Sequence, residues 1–142
     1  MANEMFCFQC EQTAGCSGCA GKKGVCGKTA DNAKLQDELT GALIGLAKAT
    51  QGREGLITKE TDQVMLEALF ATVTNVSFDD DHIESLIDRV HEAKGFLYPS
   101  FVSCSVCIAE DYDMEDLWQA NEDIRSLKSL ILFGVRGMAA YA

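Results

Sequence analysis

The stretch Met5-Phe-Cys-Phe-Gln-Cys-Glu-Gln-Thr-Ala-Gly-Cys-Ser-Gly-Cys-Ala-Gly-Lys-Lys-Gly-Val-Cys-Gly-Lys28 holds five of the chain's seven cysteines, with glycines at positions 15, 18, 21, 24 and 27. Glycine accepts φ > 0 without steric cost, so such a segment can wrap closely around a compact object. Few of its side chains are apolar, so burial cannot order it, and a bound metal group is the natural organiser. The spacing Cys7-x2-Cys10-x8-Cys19-x6-Cys26 supplies four thiolates. Four is the number that a tetrahedral zinc ion or a cubane iron–sulfur cluster requires. Cys16 is then a fifth thiol. No regular element is expected over residues 1–30, and the fold must be built by residues 31–142.

From Asp31 onward the pattern turns helical. Leu35, Leu39, Ala42, Leu43 and Leu46 recur at three- and four-residue steps, and Gly52 with Gly55 ends that run. A second helix is predicted from Thr58 as N-cap through Val64, Met65, Leu66, Leu69, Phe70 and Val73 to Asn75. A third is predicted from Ser77 and Asp80 in cap and N3 positions, with Ile83, Leu86, Ile87 and Val90 as its buried stripe. Short polar connections between the three predict an up-down-up bundle over residues 31–96. Pro99 closes it, because the residue before a proline disfavours the α region. Residues 97–120 read as a connector containing Cys104-x2-Cys107, with a short helix near Met114–Gln119 and Trp118 turned inward.

The last helix, residues 121–142, is apolar on two faces. Ile124, Leu127, Ile131, Val135 and Met138 make one face, and Leu130, Phe133, Gly137 and Tyr141 the other. Such a helix expects neighbours on both sides. The first three helices can cover one; the other calls for a following region of chain or another chain, a second copy included. A weak internal repeat points the same way: the run from Leu35 to Ala47 resembles that from Leu127 to Ala139, with Gly45 on Gly137 and Asp31 on Asp123. The fold class is therefore all-α: a cysteine- and glycine-rich loop, a three-helix bundle, a connector, and a final helix that begins an incomplete second bundle. Gly41, Gly45, Gly134 and Gly137 inside helices point to close helix crossings.

Composition limits the function. At 142 residues the chain is long enough to bury about two-thirds of its unfolded surface, so it does not need disulfides for stability. Seven cysteines without an apolar leader or a run of ~20 apolar residues point to a reducing cytoplasm, with thiols free or on metal, and to no membrane span. Twenty-two acidic against twelve basic residues give a formal charge of −10. That charge repels phosphate backbones and argues against nucleic acid, whereas a basic or neutral redox partner fits.

Thiolates are soft ligands that suit iron–sulfur clusters and zinc. Zinc ribbons usually pair two knuckles, and the loop lacks a second Cys-x2-Cys pair at ribbon-like distance after Cys7-x2-Cys10, with neither His82 nor His91 in the same segment. The spacing favours a cluster, with zinc and redox-active thiols as alternatives. His82 and His91 read as solvent-facing or helix-end histidines, Asp79–Asp81 as a solvated helix start, and Lys22, Lys23 and Lys28 as solvent-exposed, as offsets to cluster charge, or as the place that receives an electron donor. Cys104 and Cys107 could be a redox dithiol, half of a shared zinc site, or thiols of no consequence.

The segments Met5–Thr13, Gly18-Cys19 and Gly24-Val-Cys-Gly-Lys28 closely resemble the hybrid cluster protein (prismane, hydroxylamine reductase) family. The resemblance continues through Leu35-Gln-Asp37, Leu69–Asn75, Asn121–Leu127 and Gly134–Tyr141. It implies a [4Fe–4S] cluster on Cys7, Cys10, Cys19 and Cys26, with Gly18-Cys19 favouring Cys19 over Cys16; some relatives hold [2Fe–2S] instead. The x6 gap before Cys26 is one residue longer than is common. The resemblance also implies that this cluster relays electrons from a redox donor to a hybrid iron–sulfur–oxygen cluster in a catalytic region absent from these residues. Hydroxylamine or nitric oxide reduction would belong to the full-length parent, not to this chain alone. A zinc-stabilised helical interaction module and a thiol redox sensor are the competing functions.

Overall fold

The computed structural model describes residues 5–10, 17–98 and 110–142. Among these residues five α-helices follow the cysteine loop: α1 (Ala30–Thr50), α2 (Lys59–Ala71), α3 (Asp80–Phe96), α4 (Met114–Gln119) and α5 (Glu122–Ala139), with a 3₁₀ turn, Glu54–Leu56, before α2. The protein is all-α, and each helix begins at a side-chain cap. Thr29 accepts from Asn32 N–H at 3.1 Å, Asp113 from Glu115 N–H and Asn121 from Asp123 N–H. At α2 the cap is reciprocal: Thr58 Oγ1 accepts from Thr61 N–H at 3.2 Å, and Thr61 Oγ1 from Thr58 N–H at 3.3 Å. Each such cap satisfies a backbone donor that the helix itself cannot.

The core is the stripe read from the sequence. Leu39, Ala42, Leu43, Leu46 and Ala49 of α1 meet Val64, Ala68 and Ala71 of α2 and Ile83, Leu86 and Val90 of α3, with Leu97 closing the end. Full burial of one such leucine contributes on the order of 2 kcal/mol. Two boundaries differ from expectation. The cap of α3 is Asp79, whose carboxylate accepts from His82 N–H at 3.2 Å; Ser77 instead lends its carbonyl to Gln36 Nε2 at 2.8 Å. α2 stops at Ala71, before Asn75, because Thr72 Oγ1 turns back to Leu69 O at 2.8 Å and the chain then passes through Asn75 at φ 63°.

The helical glycines of α1 accommodate a chain segment rather than another helix. A Cβ on Gly41 would lie 2.3 Å from Tyr112 O, and one on Gly45 2.6 Å from Asp111 Oδ1. Tyr112 N–H donates to Gly41 O at 3.1 Å, while Asp111 pairs with Lys94 and with His91 Nε2 at 2.7 Å. The segment before α4 is thus fastened to α1 and α3 together.

α5 departs furthest from expectation. It lies beside α2 and α4, yet Leu130 is 69% exposed, Ile131 63% and Met138 74%. Among the described residues both its apolar faces are open, including the one expected to lie against the first three helices. Its single buried residue is Arg136. Among the described residues nothing lies within 4 Å of where a Cβ on Gly134 or Gly137 would sit, so no close crossing there engages them. No helix among the described residues is long and apolar enough to cross a membrane.

These two kinds of glycine predict opposite effects. Alanine is favoured over glycine in a helix by about 1 kcal/mol, and Gly134→Ala should add up to that amount to the stability of this chain. Gly41→Ala should instead cost about 2 kcal/mol or more, because the overpacking meets backbone that cannot yield. Chemical denaturation followed by circular dichroism reads both signs.

Candidate metal centre

The loop is ordered from its first described residues by pairing with itself. Met5 N–H donates to Gly21 O at 3.1 Å, Cys7 N–H to Cys19 O at 3.0 Å, and Cys19 N–H to Cys7 O at 2.8 Å. This antiparallel bridge places Cys7 and Cys19 abreast. Gly18 makes it possible: at φ 64°, a Cβ there would sit 2.7 Å from Cys7 O. Cys26 is presented by a separate turn in which Gly27 N–H donates to Gly24 O and Gly24 N–H to Lys28 O, with Gly27 at φ 91°. A Cβ on Gly24 would approach Cys26 Sγ to 3.4 Å and Met5 Cε to 3.1 Å.

Side chains alternate along Met5–Gln9, as in an extended strand. Met5 and Gln9 are buried, while Phe6 and Phe8 turn the other way onto Trp118, each 4.9 Å from it between ring centroids. Trp118 is therefore half-buried against the loop, and Arg125 stacks on its other side at 4.6 Å. Gln9 clips the Cys7–Cys10 knuckle to the bundle twice: its Nε2 donates to Asp37 Oδ1 at 3.1 Å, and its carbonyl accepts from Thr74 Oγ1 at 3.0 Å.

Beneath the knuckle lies a polar core that the sequence did not disclose. Lys28 is 1% exposed, neither solvent-facing nor at the surface of the loop. Its Nζ donates to Gln36 Oε1 and, at 3.4 Å, to Gln9 Oε1. Arg136 reaches in from α5, donating from Nε to Thr72 Oγ1 at 3.0 Å and from Nη2 to Thr40 Oγ1 at 2.9 Å. Asp37 interacts with both through charge; burial pushes its carboxyl up to about 6 although Gln9, Lys28 and Arg136 all favour the carboxylate, and Asp113 adds to the rise. Burial likewise lowers Arg136 below the usual guanidinium range, against the pull of Asp37 and Cys7. Burial raises the Cys7 thiol, opposed by a hydrogen bond from the Gln9 backbone and by Lys28.

Of the four predicted ligands, Cys7, Cys10 and Cys19 are half-buried and Cys26 is exposed. The backbone brings Cys7 and Cys19 together. Among the described residues no three Cys, His, Asp or Glu side chains converge on a point one ion could fill, and a cubane does not ask for that, since each thiolate binds its own iron. Cys16, Cys104 and Cys107 lie outside the described residues. His91 is engaged with Asp111 and His82 is exposed on the first turn of α3, as expected of helix-surface histidines.

The profile of the Prismane/CO dehydrogenase family matches residues 5–142. The chain belongs to that family. Similar proteins include a hydroxylamine reductase of Clostridium perfringens, 41% identical over 160 residues, and ones of Desulfitobacterium hafniense and Solidesulfovibrio magneticus, at 37% and 39%. Each alignment covers 96–97% of this chain and 29% of the relative, so the chain spans well under a third of those proteins. The alignments run to more residues than this chain contains, so the relatives carry residues within the matched span that it lacks. Prismane-family proteins bind iron–sulfur clusters, and the donor set here suits one: soft thiols, glycines that clear space beside Cys7 and Cys26, and a buried lysine bonded to Gln9 of the Cys7–Cys10 knuckle.

The sign of the Asp37 effect is testable. Its folded value lies above its unfolded one, so its contribution favours the fold below about pH 4 and is lost as pH rises through about 6. Asp37→Asn should therefore match wild type in acid and exceed it by up to about 3 kcal/mol at neutral pH. Melting temperatures between pH 4 and 8 check the crossover.

Proposed function

We propose that this chain is the N-terminal iron–sulfur electron-transfer domain of a hybrid-cluster oxidoreductase, with Cys7, Cys10, Cys19 and Cys26 holding a [4Fe–4S] cluster. When bound, the cluster supplies one-electron chemistry, with a potential governed by hydrogen bonding, charge and exposure. The observation that carries the reading is the Cys7–Cys19 pairing, whose glycine clearances and buried cationic floor form a loop shaped for a compact anionic group. The family's iron–sulfur binding supports it. Residues 1–30 serve as the cluster loop, 31–96 as its supporting bundle, 97–120 as connector and 121–142 as the start of a further unit.

In this reading the loop and bundle accept an electron from a redox donor and pass it onward. Hydroxylamine reduction, the activity in the relatives' names, belongs to the portion beyond the 29% that this chain matches. The open faces of α5 support the same division. A helix with Leu130, Ile131 and Met138 largely exposed is suited to burial against that further portion. The thiols and the electron traffic suit a reducing cytoplasm.

Anaerobic reconstitution followed by iron and acid-labile sulfide analysis tests the reading. About four irons per chain, the content of a cubane, should bind. Cys7→Ser and Cys26→Ser should each abolish the visible charge-transfer absorbance, Cys16→Ser should leave it, and the chain alone should not consume hydroxylamine. Fewer than about two irons per chain, below even a binuclear cluster, with Cys7→Ser indistinguishable from wild type, would refute it.

A further inference from the structure

We infer that Lys28 and Arg136 form a fixed, buried cation pair that balances the charge of the thiolate-bound cluster and sets the potential at which it accepts an electron. The inference rests on the cluster reading above. Lysine and arginine are seldom buried unless an anion accompanies them, because desolvating a charge is costly. Yet Lys28 donates to amide oxygens of Gln36 and Gln9, and Arg136 to hydroxyls of Thr72 and Thr40. Among the described residues neither has a carboxylate within ion-pair distance. Asp37 acts on both through space, but its oxygen is held by Gln9, and burial makes it a reluctant anion.

The balance left beneath the Cys7–Cys10 knuckle is positive. Lys28 bonds the side chain of Gln9, which lies between Cys7 and Cys10 in the knuckle, and Arg136 is anchored on Thr40, one turn along α1 from the Lys28 partner Gln36. A thiolate-bound cluster is an anion, and each one-electron reduction by an external one-electron donor adds one negative charge without breaking a bond. Fixed positive charge in a poorly solvated site stabilises the more negative state, which raises the potential. Burial separates these two cations from Lys22 and Lys23, which are exposed and therefore screened by water and salt. The pair also draws on both ends of the chain: Lys28 follows Cys26 on the loop, whereas Arg136 arrives on α5. The potential thus depends on α5 being seated.

Anaerobic redox titration of the reconstituted chain with dithionite, read by electron paramagnetic resonance, tests the pair. Lys28→Met and Arg136→Met should each move the reduction equilibrium at least tenfold toward the oxidised form, about 59 mV for one electron. Lys22→Met removes the same charge from the exposed part of the loop and should move it less than threefold. Equal shifts in all three, or none in Lys28→Met and Arg136→Met, overturn the inference and leave the cluster reading standing. A wild-type chain that takes up no iron overturns both. Should Lys28→Met fold without a cluster, Lys28→Arg decides. Recovery of cluster and potential supports the role of charge, and failure assigns Lys28 to packing and overturns the inference.

Discussion

The buried ammonium of Lys28 is the contact on which the arrangement of loop and bundle depends. The cysteine loop buries Met5 and sets Phe6 and Phe8 on Trp118, but its hold on α1 and on the connections to α2 and α3 is polar. Lys28 bonds Gln36 on α1, Gln9 bonds Asp37 one residue later, and the Gln9 carbonyl takes Thr74 from the connection after α2. Gln36 then reaches Ser77 ahead of α3. Each bond is worth only about 1 kcal/mol net. Their joint effect is greater, because every donor left unpaired beneath the loop would carry its full desolvation penalty.

The apolar core and this polar layer divide α1 by length. Its C-terminal half, from Leu39 to Ala49, holds the hydrophobic stripe, whereas its first half presents Asn32, Gln36 and Asp37. Asn32 Nδ2 reaches Asp80 Oδ1 at 2.7 Å, while its Oδ1 is buried without a partner among the described residues. Thr40 marks the junction, giving its hydroxyl proton to Gln36 O and accepting from Arg136. One helix therefore serves as the scaffold of the bundle and as the floor of the candidate site. The loop consequently inherits the rigidity of a packed core.

Helix positions were legible because burial at three- and four-residue spacing leaves an unmistakable period, and α4, the cap Thr58 and the start of the last helix near Asn121 fall where the sequence puts them. Asp79 was less legible than Ser77 because both residues cap well and only the path of the chain chooses between them. Gly41 and Gly45 announced a close approach without saying to what, since the segment at Tyr112 lies far away in sequence. The four cysteines were legible as a set by count and spacing. Lys28 was not, because a lysine among glycines is usually exposed, and its burial follows from partners on α1 that no local pattern reveals. Arg136 was hidden by the same logic, as one charge on a helix otherwise apolar on two faces.

That helix ties the architecture to the proposed electron path. α5 is capped, continuous and amphipathic, yet among the described residues only Arg136 is buried, and its partners are hydroxyls. A helix with so much exposed apolar surface gains little from hydrophobic contact with this chain alone. Its seating relies on a guanidinium drawn into a site where burial opposes the charge and Cys7 and Asp37 favour it. Negative charge at the cysteine loop would therefore strengthen the hold on α5, and a well-seated α5 would in turn favour negative charge at the loop. Such reciprocity is a property of any two sites that share one free energy. Here its carrier is a single side chain that spans the distance from the last helix to the floor of the first loop.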